Sequence, residues 1–202
     1  MRRTVLVLVV MVVMVATLVV ASGVALAVVR SGGPGNDTLI GTNDADNMDG
    51  KGGNDRLVGL GGGDWLIGGG GSDTLWGQAV GDELWGGPAS DLVYGGPGND
   101  FVLGQAGDDV IYGGPGREEV HGEGGDDTIY GGDGDDNVNP VSIGGLYGDL
   151  GEDVIRGGDG DDFVVGAFDG GQRDWLFCGE GTDEYLADRF DYVDSTCEVR
   201  VR

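Results

Sequence analysis

The chain has 202 residues, 46 of them Gly, and 36 acidic against 11 basic side chains leave a net charge of −25. With only five Pro and no three-residue Gly period a collagen helix is excluded. A DNA or RNA partner is excluded too, because nucleic-acid binding needs a basic face to replace counterions and the few Lys and Arg are scattered.

Residues 1–29 hold a charged start at Arg2 and Arg3, an apolar stretch from Val5 to Ala21 interrupted only by Thr17, and Ala25-Leu26-Ala27 near the end. This tripartite pattern is that of a secretory signal, with cleavage expected after Ala27. The alternative is an uncleaved anchor, since the run to Val29 is long enough to span a bilayer. Either way the remainder is expected outside the cytosol, and a membrane is a partner only if this segment is retained. Segment boundaries follow: 1–27 signal or anchor, 28–139 a first run of repeats, 140–147 an insert, 148–186 their continuation and 187–202 a C-terminal cap.

From Gly32 the chain divides into nine-residue units, beginning GGPGNDTLI, GTNDADNMD and GKGGNDRLV, and twelve of them run without a gap to Asn139. Two more follow the insert PVSIGGLY, then Gly166-Ala167-Phe168, then the degenerate DGGQRDWLF and CGEGTDEYL. Column six is acidic in every unit: Asp37, Asp46, Asp55, Asp64, Asp73, Asp82, Asp91, Asp100, Asp109, Glu118, Asp127, Asp136, Asp153, Asp162, Asp174 and Asp183. Column eight is always apolar or aromatic, from Leu39 and Met48 through Val138 to Tyr185. Columns one and four are mostly Gly, the column-four exceptions being Asp44, Val80, Ala89 and Gln172.

This pattern resembles the RTX, or haemolysin-type, calcium-binding nonapeptide family, whose units read GGxGxDxUx. The resemblance implies an all-β, right-handed parallel β-roll in which six residues of each unit turn and three form a short strand. Two units would make one coil, with calcium between successive turns. It also supplies alternatives: an accessory or fragment of a haemolysin-like toxin or enzyme, or an adhesin anchored by its N-terminus. Family members that are proteases, lipases or toxins carry a separate catalytic or pore-forming domain. The residues outside the repeats leave little room for one and contain neither H-E-x-x-H nor G-x-S-x-G, so no catalytic role is expected.

Elementary chemistry also points to calcium. Units eighteen residues apart would stack at about 4.7–4.9 Å, setting Asp37, Asp55, Asp73, Asp91, Asp109 and Asp127 in one ladder and Asp46, Asp64, Asp82, Asp100, Glu118 and Asp136 in another. Carboxylates so close repel by roughly 1 kcal/mol per neighbouring pair in water and about four times that at a dielectric near 20. Asp plus carbonyl oxygens suit Ca²⁺ better than the stricter Mg²⁺, and with His121 the only His, zinc is disfavoured. Multiple Ca²⁺ ions are therefore the expected cofactor, with weaker sites where Val80, Ala89, Glu118 and Gln172 depart from the pattern.

No ladder is assigned beyond the insert, which is either a looped-out excursion or a degenerate unit. Cys178 and Cys197 are expected to join and staple the cap. Outward alternation places Ile40, Val58, Trp76, Tyr94, Tyr112 and Tyr130 in one stripe. It reads either as a recognition surface for an extracellular protein or carbohydrate, or simply as strand-favouring aromatics covering the backbone.

Overall fold

The computed structural model describes residues 27–136, 144–166 and 171–201; the predicted export segment up to Leu26 lies outside them. Strands follow one another in chain order as β1 (Val29–Ser31), β2 (Thr38–Ile40), β3 (Asn47–Asp49), β4 (Arg56–Gly61), β5 (Trp65–Ile67), β6 (Thr74–Ala79), β7 (Glu83–Pro88), β8 (Leu92–Tyr94), β9 (Phe101–Ala106) and β10 (Val110–Pro115). They continue as β11 (Glu119–Gly124), β12 (Thr128–Asp133), β13 (Gly145–Leu150), β14 (Val154–Asp159), β15 (Phe163–Val165), β16 (Trp175–Glu180), β17 (Glu184–Leu186), β18 (Tyr192–Val193) and β19 (Val199–Arg200). Odd strands form a ten-stranded sheet and even strands a nine-stranded one, and every pairing is parallel. The chain is thus an all-β parallel roll of about nine turns, without a helix among the described residues.

The core is as thin as the repeat predicts. One side chain per unit points inward, and from Met48 and Leu57 through Ile111 and Ile129 to Leu176 the column-eight residues are fully buried. Two facing rows, one from each sheet, therefore make the whole interior, which leaves little apolar area per residue to offset the ordering of so many Gly.

The three Gly-rich columns do different work. At column one there is no room for a side chain: a Cβ on Gly50 would lie 2.4 Å from Asp55 Oδ2 and 2.5 Å from the Gly68 carbonyl of the next coil. Columns two and four instead demand left-handed backbone. All eight non-Gly residues with positive φ fall there, Lys51, Leu60, Gln78, Gln105, Glu123 and Asp149 in column two and Val80 and Ala89 in column four, at 69–84°. L-residues reach this region at a cost, and at Val80 and Ala89 the coil keeps its path despite it.

Around the insert the structure departs from the nine-residue cutting. His121 pairs with Tyr147 and Tyr130 with Arg156, so Gly145–Tyr147, the end of the predicted insert, forms the strand that follows the turn at Asp136. Leu146, fully buried, takes the column-eight place assigned from sequence to Val138, which lies outside the described residues. Column six at Asp136 and column seven at Gly145 are thus separated by residues 137–144, and the two-unit alternation is the same on either side of them. A smaller shift occurs at Gly166: a Cβ there would lie 2.7 Å from Asp174 Oδ2, as at other column-one positions. Column one of that unit is therefore Gly166 rather than Asp169.

The last coil is closed by the cap. Strands β18 and β19 add one more layer on β16 and β17, and Cys178 is bonded to Cys197. A loop of this size stabilises by roughly 3 kcal/mol. Cys178 stands in column one, where only the cap lies above it, and Thr196 Oγ1 accepts the N–H groups of Cys178 and Gly179 there.

Two alanine substitutions test the steric role of column one, with the column-three Gly124 as the comparison. Gly104→Ala puts a Cβ 2.5 Å from Asp109 Oδ2 and 2.8 Å from the Gly122 carbonyl, whereas the nearest atom to a Cβ on Gly124 is 3.8 Å away. Thermal unfolding of the calcium-loaded chain should show the first losing at least about 1–3 kcal/mol, as in an overpacked core, and the second staying within about 0.5 kcal/mol. Equal losses would remove the steric account of column one.

Candidate metal centre

Column six opens every strand, and its side chains turn inward at the corner of the coil, where Asp55 through Asp183 are at most 4% exposed. One oxygen of each is used for stacking. The N–H of Asp55 donates to Asp73 Oδ1 at 2.6 Å, that of Asp73 to Asp91 Oδ1 at 2.7 Å, and that of Asp91 to Asp109 Oδ1 at 2.7 Å. The second ladder is built alike, from Asp46 to Asp64, Asp82 and Asp100 at 2.8 Å per rung. Every such rung fixes the height of one coil on the next through a charge-assisted hydrogen bond.

Beyond the insert the assignment left open from sequence is resolved. Asp127 donates to Asp153 and Asp153 to Asp174, while Asp136 donates to Asp162 and Asp162 to Asp183. Both ladders then run into the cap, where Asp174 donates to Asp191 Oδ1 and Asp183 to Glu198 Oε2. Asp191 and Glu198 are rungs that the period does not reveal, because the cap has no nonapeptide spacing.

A second set of side chains was also missed. In column five, the N–H of Asn54 donates to Asn36 Oδ1, that of Asp126 to Asp108 Oδ1, and that of Asp161 to Asp135 Oδ1. These rungs point from the later coil to the earlier one, opposite to column six. The recurrence of Asn and Asp just before the column-six acid is the sequence signal that could have found them.

The other oxygen of the column-six carboxylates has no such use. Oδ2 of Asp55, Asp64, Asp73, Asp82, Asp91, Asp100, Asp109, Asp127, Asp162 and Asp183 is buried and has no hydrogen-bond partner in the structure. Buried polar atoms left unsatisfied are costly and rare, and a repeated line of them fits a bound cation. Asp37 and Asp46 differ, because the N–H groups of Gly33 and Thr42 already occupy their Oδ2. Asp82 and Asp91, beside Val80 and Ala89, keep the unpartnered oxygen like their neighbours. Glu118 is the place where the pattern breaks: no carboxylate takes up the Asp100 N–H among the described residues, and a cavity of about 250 Å³ opens between Asp100, Glu118 and Arg117.

Among the described residues no three carboxylate or imidazole side chains converge on one point. A cation held by this ladder would need backbone oxygens as well, and column-one carbonyls of the next coil lie beside the carboxylates. Gly122 O and Asp109 Oδ2 lie 2.8 and 2.5 Å from the place of a Cβ on Gly104, and Gly68 O and Asp55 Oδ2 flank that on Gly50 in the same way. Carboxylate plus carbonyl is a hard, all-oxygen donor set of the kind Ca²⁺ accepts.

Burial against like neighbours shows in the acidities. It pushes Asp64, Asp73, Asp100 and Asp109 up to about 6, Asp82 and Asp91 to about 7, and Asp127 and Asp162 to about 8, against an ordinary value of 3.8. Neighbouring carboxylates add to the rise at most of these, and the stacking N–H partly opposes it. Glu118 is raised by burial and by the carboxylate of Asp136.

The site and fold together define a solenoid whose coils are stacked by buried carboxylates, ten of which keep one oxygen without a hydrogen-bond partner. A family model for the RTX calcium-binding nonapeptide repeat matches residues 31–57, 49–84, 85–117, 112–140 and 146–170, well over half of the chain. The chain belongs to that family. No curated protein matches it.

Since the folded carboxyls hold protons that the unfolded chain has already released, the metal-free roll must lose stability as pH rises from about 4 through 8. Far-ultraviolet circular dichroism in EGTA should therefore show more β structure at pH 5 than at pH 8. The opposite order would contradict the buried ladder.

Proposed function

We propose that this is a secreted, non-catalytic roll that folds on binding several extracellular Ca²⁺ ions through its column-six carboxylates and then serves as a binding or surface module. The observation that carries this reading is the line of buried, unpartnered Oδ2 atoms of Asp55, Asp64, Asp73, Asp82, Asp91, Asp100 and Asp109, continued at Asp127, Asp162 and Asp183. Bound there, Ca²⁺ supplies the positive charge that neighbouring carboxylates lack. The proposed ligands are the column-six acids, Asp37, Asp46 and the altered Glu118 being the weakest. The chain's own residues do the rest: the column-six N–H groups hold Oδ1 at a fixed height, and column-one carbonyls such as Gly86 O and Gly122 O lie beside the Oδ2 of Asp73 and Asp109.

Export is supported by two features. Val28, directly after the predicted Ala25-Leu26-Ala27 cleavage site, already belongs to the roll, its N–H donating to Asp46 Oδ1. A disulfide closes the other end, as suits an oxidising compartment. Extracellular calcium modules work at about 10⁻⁴–10⁻³ M, so the roll would stay open in the cytosol and close outside. Binding free energy then becomes folding free energy.

Titration with Ca²⁺ should convert the circular dichroism of the chelated chain at pH 7.5 from coil to β within that range. Mg²⁺ should fail to do so. Structure that persists unchanged in EGTA would overturn coupled folding.

A single substitution tests the ligand role. Asp109→Asn keeps an oxygen for the Asp91 N–H but removes a buried charge, so at pH 7.5 it should stabilise the metal-free roll and raise the calcium midpoint about two- to tenfold. A variant that titrates like the parent would remove Asp109 from the ligand set.

A further inference from the structure

The outward face of the nine-stranded sheet differs from everything else on this acidic molecule. Between β2 and β16 its columns seven and nine carry no carboxylate, and the charges there are Arg56 and Arg156. The opposite sheet, in the same columns, carries Asp49, Glu83, Glu119 and Glu184. In a chain of net charge −25, two columns free of acid over eight strands are a departure in composition that strand propensity does not explain, since propensity acts on both sheets alike; the acids of this sheet, Asp133, Asp159 and Glu180, stand at the far ends of β12, β14 and β16.

Its centre is a stack of four rings. Trp76, Tyr94, Tyr112 and Tyr130 lie 5.7, 5.0 and 4.8 Å apart between centroids and within 7° of parallel. Arg56 covers the free side of Trp76 at 4.2 Å, and Arg156 lies 5.2 Å from Tyr130 and 4.9 Å from Phe177. The ring faces are thus spent on one another and on the guanidinium groups, which leaves none for a sugar ring to stack on. Ring edges, tyrosine hydroxyls and guanidinium groups remain, and ring edges are the positive part of the aromatic quadrupole. Beside Arg156 the face also has a shallow hollow of about 270 Å³ lined by Val154, Arg156, Trp175 and Phe177. That hollow sets an apolar floor next to a cation.

From these features we infer that the nine-stranded face docks an extended acidic segment of a partner protein, with carboxylates at Arg56 and Arg156 and an apolar side chain in the hollow by Trp175 and Phe177. This rests on the reading of the roll as a binding module and names its partner class. Charge complementarity selects an acidic occupant. Width selects a segment rather than a second copy. Eight strands at about 4.8 Å make a strip about 34 Å long and two side-chain columns wide, a few hundred Å² against the roughly 800 Å² per partner of a stable interface.

The test is to pan the full chain in Ca²⁺ against displayed random twelve-residue peptides, and to titrate the enriched sequences as synthetic peptides against parent and variants. Enriched peptides should combine acidic with apolar residues, weaken at least tenfold on R56E/R156E, and bind Trp65→Ala on the opposite sheet as they bind the parent. R56Q/R156Q gives a milder version should charge reversal disturb the fold, which calcium-dependent circular dichroism reports. Absence of enrichment, enrichment without acidic bias, or equal binding to the double variant overturns the inference. So does binding of polygalacturonate in place of peptides, or self-association of the parent that the double variant abolishes. A chain already β-structured in EGTA refutes calcium-coupled folding instead, and the panning then proceeds on that folded chain with the same criteria.

Discussion

Everything in this roll depends on stacking carboxylates at the spacing of β strands. A parallel solenoid satisfies its backbone by bonding each coil to the next, as where the N–H of Thr74 reaches the Asp55 carbonyl and that of Leu92 the Asp73 carbonyl. Such pairing forces identical columns into register, and a column that is always acidic then becomes a line of like charges. The protein uses one oxygen of most of these carboxylates to make the register and, from Asp55 to Asp109 and at Asp127, Asp162 and Asp183, leaves the other unpartnered. The first use stabilises the stack; the second costs stability unless a cation offsets it.

That arrangement explains why the interior can be so meagre. Two rows of column-eight side chains, joined near the cap by Cys178 and Ala187, make the apolar core between the sheets, which is little for a chain of this glycine content. The proposed coupling of folding to what the corners bind follows from that shortage, and the disulfide-linked cap covers the last coil. Deviations such as Val80 and Ala89 are tolerated because they strain φ locally without disturbing the carboxylate line. Glu118 is not equivalent to them, since its longer side chain leaves the Asp100 N–H without its rung.

Most of the architecture was legible in the sequence because the repeat states it directly. Column six named the acids, column eight the core, and the eighteen-residue offset the ladders as far as Asp127 and Asp136. Less legible were the distinct reasons for glycine: columns one and four are both mostly Gly, yet one lacks space and the other needs left-handed backbone. The column-five rungs and the added rungs at Asp191 and Glu198 were not expected, the first because column five mixes Asn and Asp with Gly, Ser and Arg, the second because the cap has no period to read.

The sequence by itself determined the repeating unit and its carboxylate donors, since each of these is a property of residues within a few positions of one another; the two-unit coil was implied by the family resemblance. Tertiary structure decided how the register crosses the interruptions. Gly145–Tyr147 continues the sheet by pairing with β11 and burying Leu146, where the nine-residue spacing had pointed to 137–139. It also decided which oxygen of each Asp is used, and that the acid-free columns of alternate units meet on one sheet as a continuous face. Those outcomes depend on contacts between coils eighteen or more residues apart, and no single unit contains them.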